Sequence, residues 1–233
     1  MAVAFDAGSE SHTGATGSIS EASFNWNHIP VLAPQAIVIF VVNLSQGTTY
    51  IAGTVTYDGK TIPEDGGMRA NDNAGEPGTN QTFFLGEGIP TTNPANIVVN
   101  RVNNTDELWA VAISLTANAR TERADSVVGL QGDGTLAEQS IQDFSPGTNS
   151  LRLAGGFSGL GTPPAAGTNS TAVHSFDTGN QTAAVVRETT AGQGSRPVGF
   201  SSGTTDDRAI IHFAIREILK VPYVNPMPPL IAQ

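Results

Sequence analysis

Cysteine is absent from the 233-residue chain, and lysine occurs only as Lys60 and Lys220. Without Cys there can be no disulfide, no thiolate metal site and no cysteine nucleophile. Charged residues make up 14 %, with 11 Lys and Arg against 21 Asp and Glu, giving a formal net charge of −10. That balance excludes a general nucleic-acid-binding surface, because phosphate contact needs clustered Lys and Arg. No stretch approaches the ~18–20 apolar residues of a membrane helix. The longest apolar run, Ala36-Ile37-Val38-Ile39-Phe40-Val41-Val42, has strand length. The first six residues carry neither a basic nor a long apolar region, so no signal peptide is expected and the chain reads as a soluble protein made in the cytoplasm. Scarce charge leaves a surface of Thr, Ser, Asn, Gln and Gly, which is neutral, hydrogen-bonding and suited to packing against other protein.

Strand signals are frequent. Residues 35–44 are β-branched and nearly continuous in apolar character, the pattern of a strand buried on both faces. Residues 49–57 alternate and are succeeded by Asp58-Gly59 and then Lys60-Thr61-Ile62. Asp-Gly between two β-rich stretches marks a two-residue hairpin, since both central residues of a type I′ turn need positive φ. Further strands are expected at 81–85, 96–102, 107–116, 151–154, 171–176, 181–188 and 208–218. In the last, Ala209, Ile211, Phe213 and Ile215 alternate with Ile210, His212, Ala214 and Arg216. Residues 117–127 could make one to two helical turns but have no apolar face at helical spacing. Stretches 64–80, 155–170 and 191–207, rich in Gly, Ser, Thr, Asp and Asn, read as long loops. The expectation is an all-β, antiparallel, jelly-roll-like β-sandwich of two stacked sheets, a single domain over residues 1–220 with long loops.

Residues 221–233 read as an extended arm. Pro222, Pro226, Pro228 and Pro229 remove amide donors and bias it toward polyproline II. Val221, Pro222, Tyr223, Val224, Met227, Leu230 and Ile231 make it apolar, which a solvated tail does not need, so these seven residues are the candidate interface.

Motifs for chemistry are sparse. His12, His28, His174 and His212 form no HxxxH, HEXXH or HxH pair, and each reads as a core or strand-face histidine. The acid pairs Glu64/Asp65, Asp72/Glu76, Asp106/Glu107 and Asp206/Asp207 lack the ExDxE spacing of jelly-roll glucanases. The best cation candidate is the loop holding Asp65, Asp72 and Glu76, since hard cations take several oxygens from a flexible loop. It lacks the EF-hand order, and Arg69 lies inside it, so a solvated acidic loop is the preferred reading and no metal or cofactor is assigned. Gly132-Asp133-Gly134 and Gly192-Gln193-Gly194 have neither the spacing nor the Lys of a phosphate loop.

Several segments together resemble virion proteins of tailed bacteriophages. They are Val3-Ala4-Phe5-Asp6-Ala7 with Ser23-Phe24-Asn25-Trp26-Asn27-His28, and the apolar strand 36–43 with the hairpin Ala52-Gly53-Thr54-Val55-Thr56-Tyr57-Asp58-Gly59-Lys60. Residues 95–100, 109–115 and 208–215 complete the pattern. The resemblance implies a thin β-sandwich that decorates a capsid or builds tail, neck or fibre parts, with no common catalytic residues. A non-enzymatic capsid decoration or cement protein is therefore expected, located in the virion, homo-oligomeric and contacting the major capsid protein or other virion proteins. The alternative is a tail, neck or fibre accessory protein with a carbohydrate-binding sandwich, in which Trp26, Trp109, Tyr50 or Tyr57 would stack on a glycan.

Overall fold

The computed structural model describes residues 3–15, 23–44, 52–70, 78–101, 107–131, 134–135, 138–141, 150–159, 162–177, 182–201, 205–206 and 208–218. These residues form antiparallel strands and no helix, numbered β1 to β20 in chain order.

The largest sheet holds β1 (Ala4–Phe5), β2 (Ser11–Ala15), β4 (Ala36–Leu44), β7 (Glu64–Ala70), β8 (Gly78–Leu85) and β10 (Glu107–Thr116). Its order is β1-β10-β4-β8-β7, with β2 also on β10. A second sheet holds β11 (Thr121–Gln131), β14 (Leu151–Ser158), β16 (Ser170–Asp177), β17 (Thr182–Glu188) and β20 (Arg208–Glu217), in the order β11-β20-β14-β17-β16. A third, β3-β9-β5-β6, comprises β3 (Ser23–His28), β5 (Ala52–Tyr57), β6 (Lys60–Ile62) and β9 (Ala95–Arg101). A small fourth sheet has β13 (Glu138–Ile141), β15 (Ala165–Ala166) and β18 (Arg196–Ser201), while β12 (Gly134–Thr135) pairs β19 (Thr205–Asp206).

The all-β, antiparallel stacked-sheet architecture expected from the sequence is present, with four layers where two were anticipated. Continuous apolar runs explain the extra layers. On β4, Ala36, Val38, Phe40 and Val42 join Trp109, Val111 and Ile113 of β10 against Leu153, Phe157, Ile211 and Phe213 of the second sheet. The intervening residues Ile37, Ile39 and Val41 point the other way, with Leu108, Ala110 and Ala112, onto Val55, Tyr57, Ile97 and Val99 of the third sheet. Period-two alternation places consecutive apolar residues on opposite faces, so an unbroken run requires cover on both sides. The same logic applies to β20: Ala209, Ile211, Phe213 and Ile215 face the first sheet, whereas Ile210 and Ala214 meet Val198 and Phe200 of the fourth.

Three stretches read as loops depart from expectation: residues 64–70 form β7 and 78–80 start β8, 155–158 extend β14 and 165–166 form β15, and β18 and β19 lie within 191–207. Residues 117–127, which offered at most one or two helical turns, run into β11. Polar composition misleads because these strands bury polar groups between layers. Thr79, Asn80, Gln81 and Thr82 are all buried, and Asn80 Nδ2 donates to the Gly155 carbonyl at 2.6 Å. The glycines of β14 are strand residues forced small by close approach. A Cβ on Gly155 would lie 2.5 Å from the Phe40 ring, and one on Gly156 2.0 Å from the Ala209 carbonyl oxygen. The expected Asp58-Gly59 turn is present, with φ of 47° and 78°.

Candidate functional site

The edge of β10 is paired by two short strands in succession, Phe5 with Leu115 and Ser11 with Ala112. Five residues, 6 to 10, therefore stand opposite Ile113 and Ser114 and must bulge out of the ladder, turning at Gly8 (φ 88°). The bulge replaces ladder bonds with side chains: the Ser114 amide donates to Ser9 Oγ at 3.1 Å, while the Asp6 amide still reaches the Ser114 carbonyl at 3.0 Å. It also delivers the buried Asp6 carboxylate to the segment after β3. There Asp6 Oδ2 accepts the amides of Val31 (2.9 Å) and Leu32 (3.1 Å). Charge-assisted bonds to two successive amides fix that segment firmly.

The fixed segment presents apolar side chains to solvent. Ile29, Val31 and Leu32 are 57 %, 60 % and 58 % exposed, the large hydrophobic residues that stand out among those described. Val31 and Leu32 line a cleft of about 550 Å³ between segments 30–35 and 86–93, and Ile29 precedes it in the chain. Its lining combines Pro30, Pro34, Ile89 and Pro90 with Arg120 at one rim. Each wall is tied down. The Gln35 amide donates to the Leu115 carbonyl (2.8 Å), and Thr121 Oγ1 donates to the Gln35 carbonyl (2.9 Å). On the opposite wall Lys60 Nζ donates to the carbonyls of Glu87 (2.9 Å) and Gly88 (2.7 Å), and Asn93 Nδ2 to the Pro30 carbonyl (3.3 Å). Arg120 pairs with Glu87 at 2.9 Å, both well exposed. A preformed, mostly apolar cleft with few charged groups suits an apolar ligand or chain segment.

A partly buried polar chain links Trp26, Ser11, His28 and Ser114. Trp26 Nε1 donates to Ser11 Oγ (3.0 Å), Ser11 Oγ lies 2.7 Å from His28 Nδ1, and His28 Nε2 lies 2.7 Å from Ser114 Oγ. The neutral ring carries one N–H, so it donates to one of the two serine hydroxyls and accepts from the other. A hydroxyl this close to an imidazole can mark an activated nucleophile. Here both ring nitrogens are engaged by serines, the ring is fully buried, and burial pushes its pKa down from 6.5 to about 4, against the opposing pull of Asp6. The arrangement is an interior brace that joins β2, β3 and β10. Tyr57 meets His28 edge-on at 6.0 Å, and burial with the neighbouring Asp58 raises its phenol to about 12.

A second buried cluster ties segment 188–196 to the second sheet. Arg152 Nη1 donates to both oxygens of Glu188 (3.2 and 3.3 Å) and to the Gly192 carbonyl (2.9 Å). Arg196 Nε reaches Glu188 Oε2 at 3.1 Å. Burial pushes the Glu188 carboxyl up, against the two arginines that pull it down.

Of the residues singled out by sequence, Asp65 is ion-paired with Arg123 at 2.5 Å, and burial raises its pKa despite that arginine. Asp72, Glu76 and the arm residues Val221, Pro222, Tyr223, Val224, Met227, Leu230 and Ile231 lie outside the described residues. Among the described residues no group of three His, Asp or Glu could hold a metal ion. Trp109 and Tyr57 are fully buried and cannot offer a face to a sugar, Trp26 is half-buried, and Tyr50 lies outside the described residues. His174 stacks on Trp109 at 5.8 Å and meets Glu10 at 3.3 Å. The apolar rim Ile29, Val31 and Leu32 is not among the sequence-based candidates, although two prolines bracketing apolar residues between strands are its signal. No family model, no curated protein and no solved structure matches the chain.

Proposed function

We propose that this protein is a non-enzymatic virion structural protein of a tailed bacteriophage, a decoration or cement protein that holds its neighbours in the particle. The observation that carries the reading is the apolar rim of Ile29, Val31 and Leu32, which a buried carboxylate holds in solvent. Exposed apolar groups on rigid backbone mark a surface built to meet another protein. The stacked sheets supply stiffness, and a surface rich in Thr, Ser, Asn, Gln and Gly offers hydrogen-bonding groups to copies and capsid subunits. Weak contacts repeated over a symmetric shell add through high effective concentration. In this reading the partners are the major capsid protein or other virion proteins together with further copies of the chain.

The test is co-sedimentation with particles assembled without the protein. Wild type binds them, and Leu32→Asp together with Val31→Asp abolishes binding while the circular dichroism spectrum stays that of a β protein. Undiminished binding by the folded double variant rejects the rim as the contact, and no binding by wild type rejects the virion role. The tail or fibre alternative predicts retention on immobilised glycan, quenched or shifted Trp26 fluorescence, and loss of both on Trp26→Ala.

A further inference from the structure

The last described residue, Ile218, donates its amide to the carbonyl of Arg120 at 2.8 Å. Arg120 forms one rim of the apolar cleft. The chain therefore leaves the described structure at the edge of the cleft, held there by β20 pairing with β11 (Thr121 with Glu217) and by Glu217 Oε1 accepting the Asn118 amide at 2.6 Å. Beyond Ile218 the sequence continues Leu219-Lys220-Val221-Pro222-Tyr223-Val224-Asn225-Pro226. Two residues separate the anchored Ile218 from the first residue of the apolar run.

We propose that the cleft between segments 30–35 and 86–93 is the seat of the chain's own proximal arm, Val221 to Val224. Three features agree. A segment tethered so close to its site binds at the millimolar effective concentration of a short linker, so weak contacts suffice. Pro222 limits the conformations lost on docking and presents its neighbours in an extended line, as proline-rich segments do in apolar grooves. The cleft is of a size for a few side chains and carries little charge, matching an uncharged Val-Pro-Tyr-Val and not the charged loops elsewhere in the chain. Pro226 ends the docked stretch, and Met227, Leu230 and Ile231 lie beyond it. On the virion reading above, these distal residues reach a neighbour alongside the exposed rim, aimed by the docked base.

The chain has no native cysteine, so paired substitutions report proximity cleanly. Leu32→Cys with Val224→Cys forms an intramolecular disulfide in the isolated protein under mild oxidation, read as a linked peptide after non-reducing digestion. Asp177→Cys with Val224→Cys is the control, because Asp177 is exposed and its register through β17 and β14 sets it level with Arg208, at the far end of β20 from Glu217. Equal yields in the two pairs, or no disulfide in the first, overturn the proposal. A disulfide found only between two chains, with a dimer mass, overturns it in favour of a second copy's arm. A measurement free of cysteine is trypsin cleavage after Lys220. Leu32→Asp is expected to accelerate it about tenfold, because cleavage tracks the population of the undocked arm; an unchanged rate contradicts docking. Neither readout involves phage particles, so either can fail while particle binding stands, and the reverse.

Discussion

His28 carries the clearest pH signature in the molecule. Its imidazole has a pKa of about 4 in the folded protein against 6.5 when exposed, because burial disfavours the charged ring. Between those two values the unfolded chain binds a proton that the folded chain refuses. Stability from this group is therefore complete above pH 6.5 and is lost progressively as the pH falls toward 4, by up to about 3 kcal/mol. Urea titrations of wild type and His28→Gln at several pH values should show the wild-type advantage shrinking over that window; a constant difference would mean the ring is protonated without cost in the folded state. Arg152 makes a second residue-scale case. Replacing it with Met removes one of the two guanidinium groups on buried Glu188 and one donor from the Gly192 carbonyl. Arg196 still reaches Glu188, so the loss should fall toward or below the lower end of the ~3–5 kcal/mol of a fully broken buried pair. Adding Glu188→Leu should recover much of that loss. A double variant no more stable than Arg152→Met would show that the contact with the loop carbonyls, and not the charge pair, matters most.

At the scale of elements, β14 shows how composition and structure diverge. Its Gly155-Gly156 pair has the composition of a loop, yet all eight residues from Leu151 to Ser158 are buried in a strand paired on both edges. The glycines are there because the Phe40 ring and the Ala209 carbonyl occupy the space a methyl would take. Gly156→Ala must move backbone, whereas Gly155→Ala can be relieved in part by the Phe40 ring. Overpacking of this kind costs about 1–3 kcal/mol, and Gly156→Ala should be the more damaging of the two in thermal melts. The reverse order would indicate that β20 yields more readily than the aromatic layer. The hairpin at Asp58-Gly59 and the strands at 36–44 and 208–217 are legible because their signals are local: a turn type that demands positive φ, and a run of β-branched residues. β11 is not, because its polar sequence is ordered by β20 beside it and has no periodicity of its own.

For the whole molecule, four stacked sheets carry an apolar rim, and the arm is the part whose removal should be separable from folding. Deleting residues 221–233 is expected to weaken oligomer or particle association while the melting temperature of the sheets shifts by only a few degrees; particle binding as tight as that of the full chain would remove the arm from the interface. By itself the sequence determined the absence of cysteine, the acidic net charge and the all-β class, since these depend on residue types and on periodicity along the chain. It also contained the two-sided burial of residues 36–42, although not the sheets that supply the cover. The tertiary structure alone decided the number of layers and the strand character of 64–70, 78–80 and 155–158. It alone set the partnership of Asp6 with Val31 and Leu32, which are 25 and 26 residues away along the chain. Those outcomes arise from contacts between distant segments, where a buried partner satisfies a polar group or excludes a side chain, and local pattern does not carry that information.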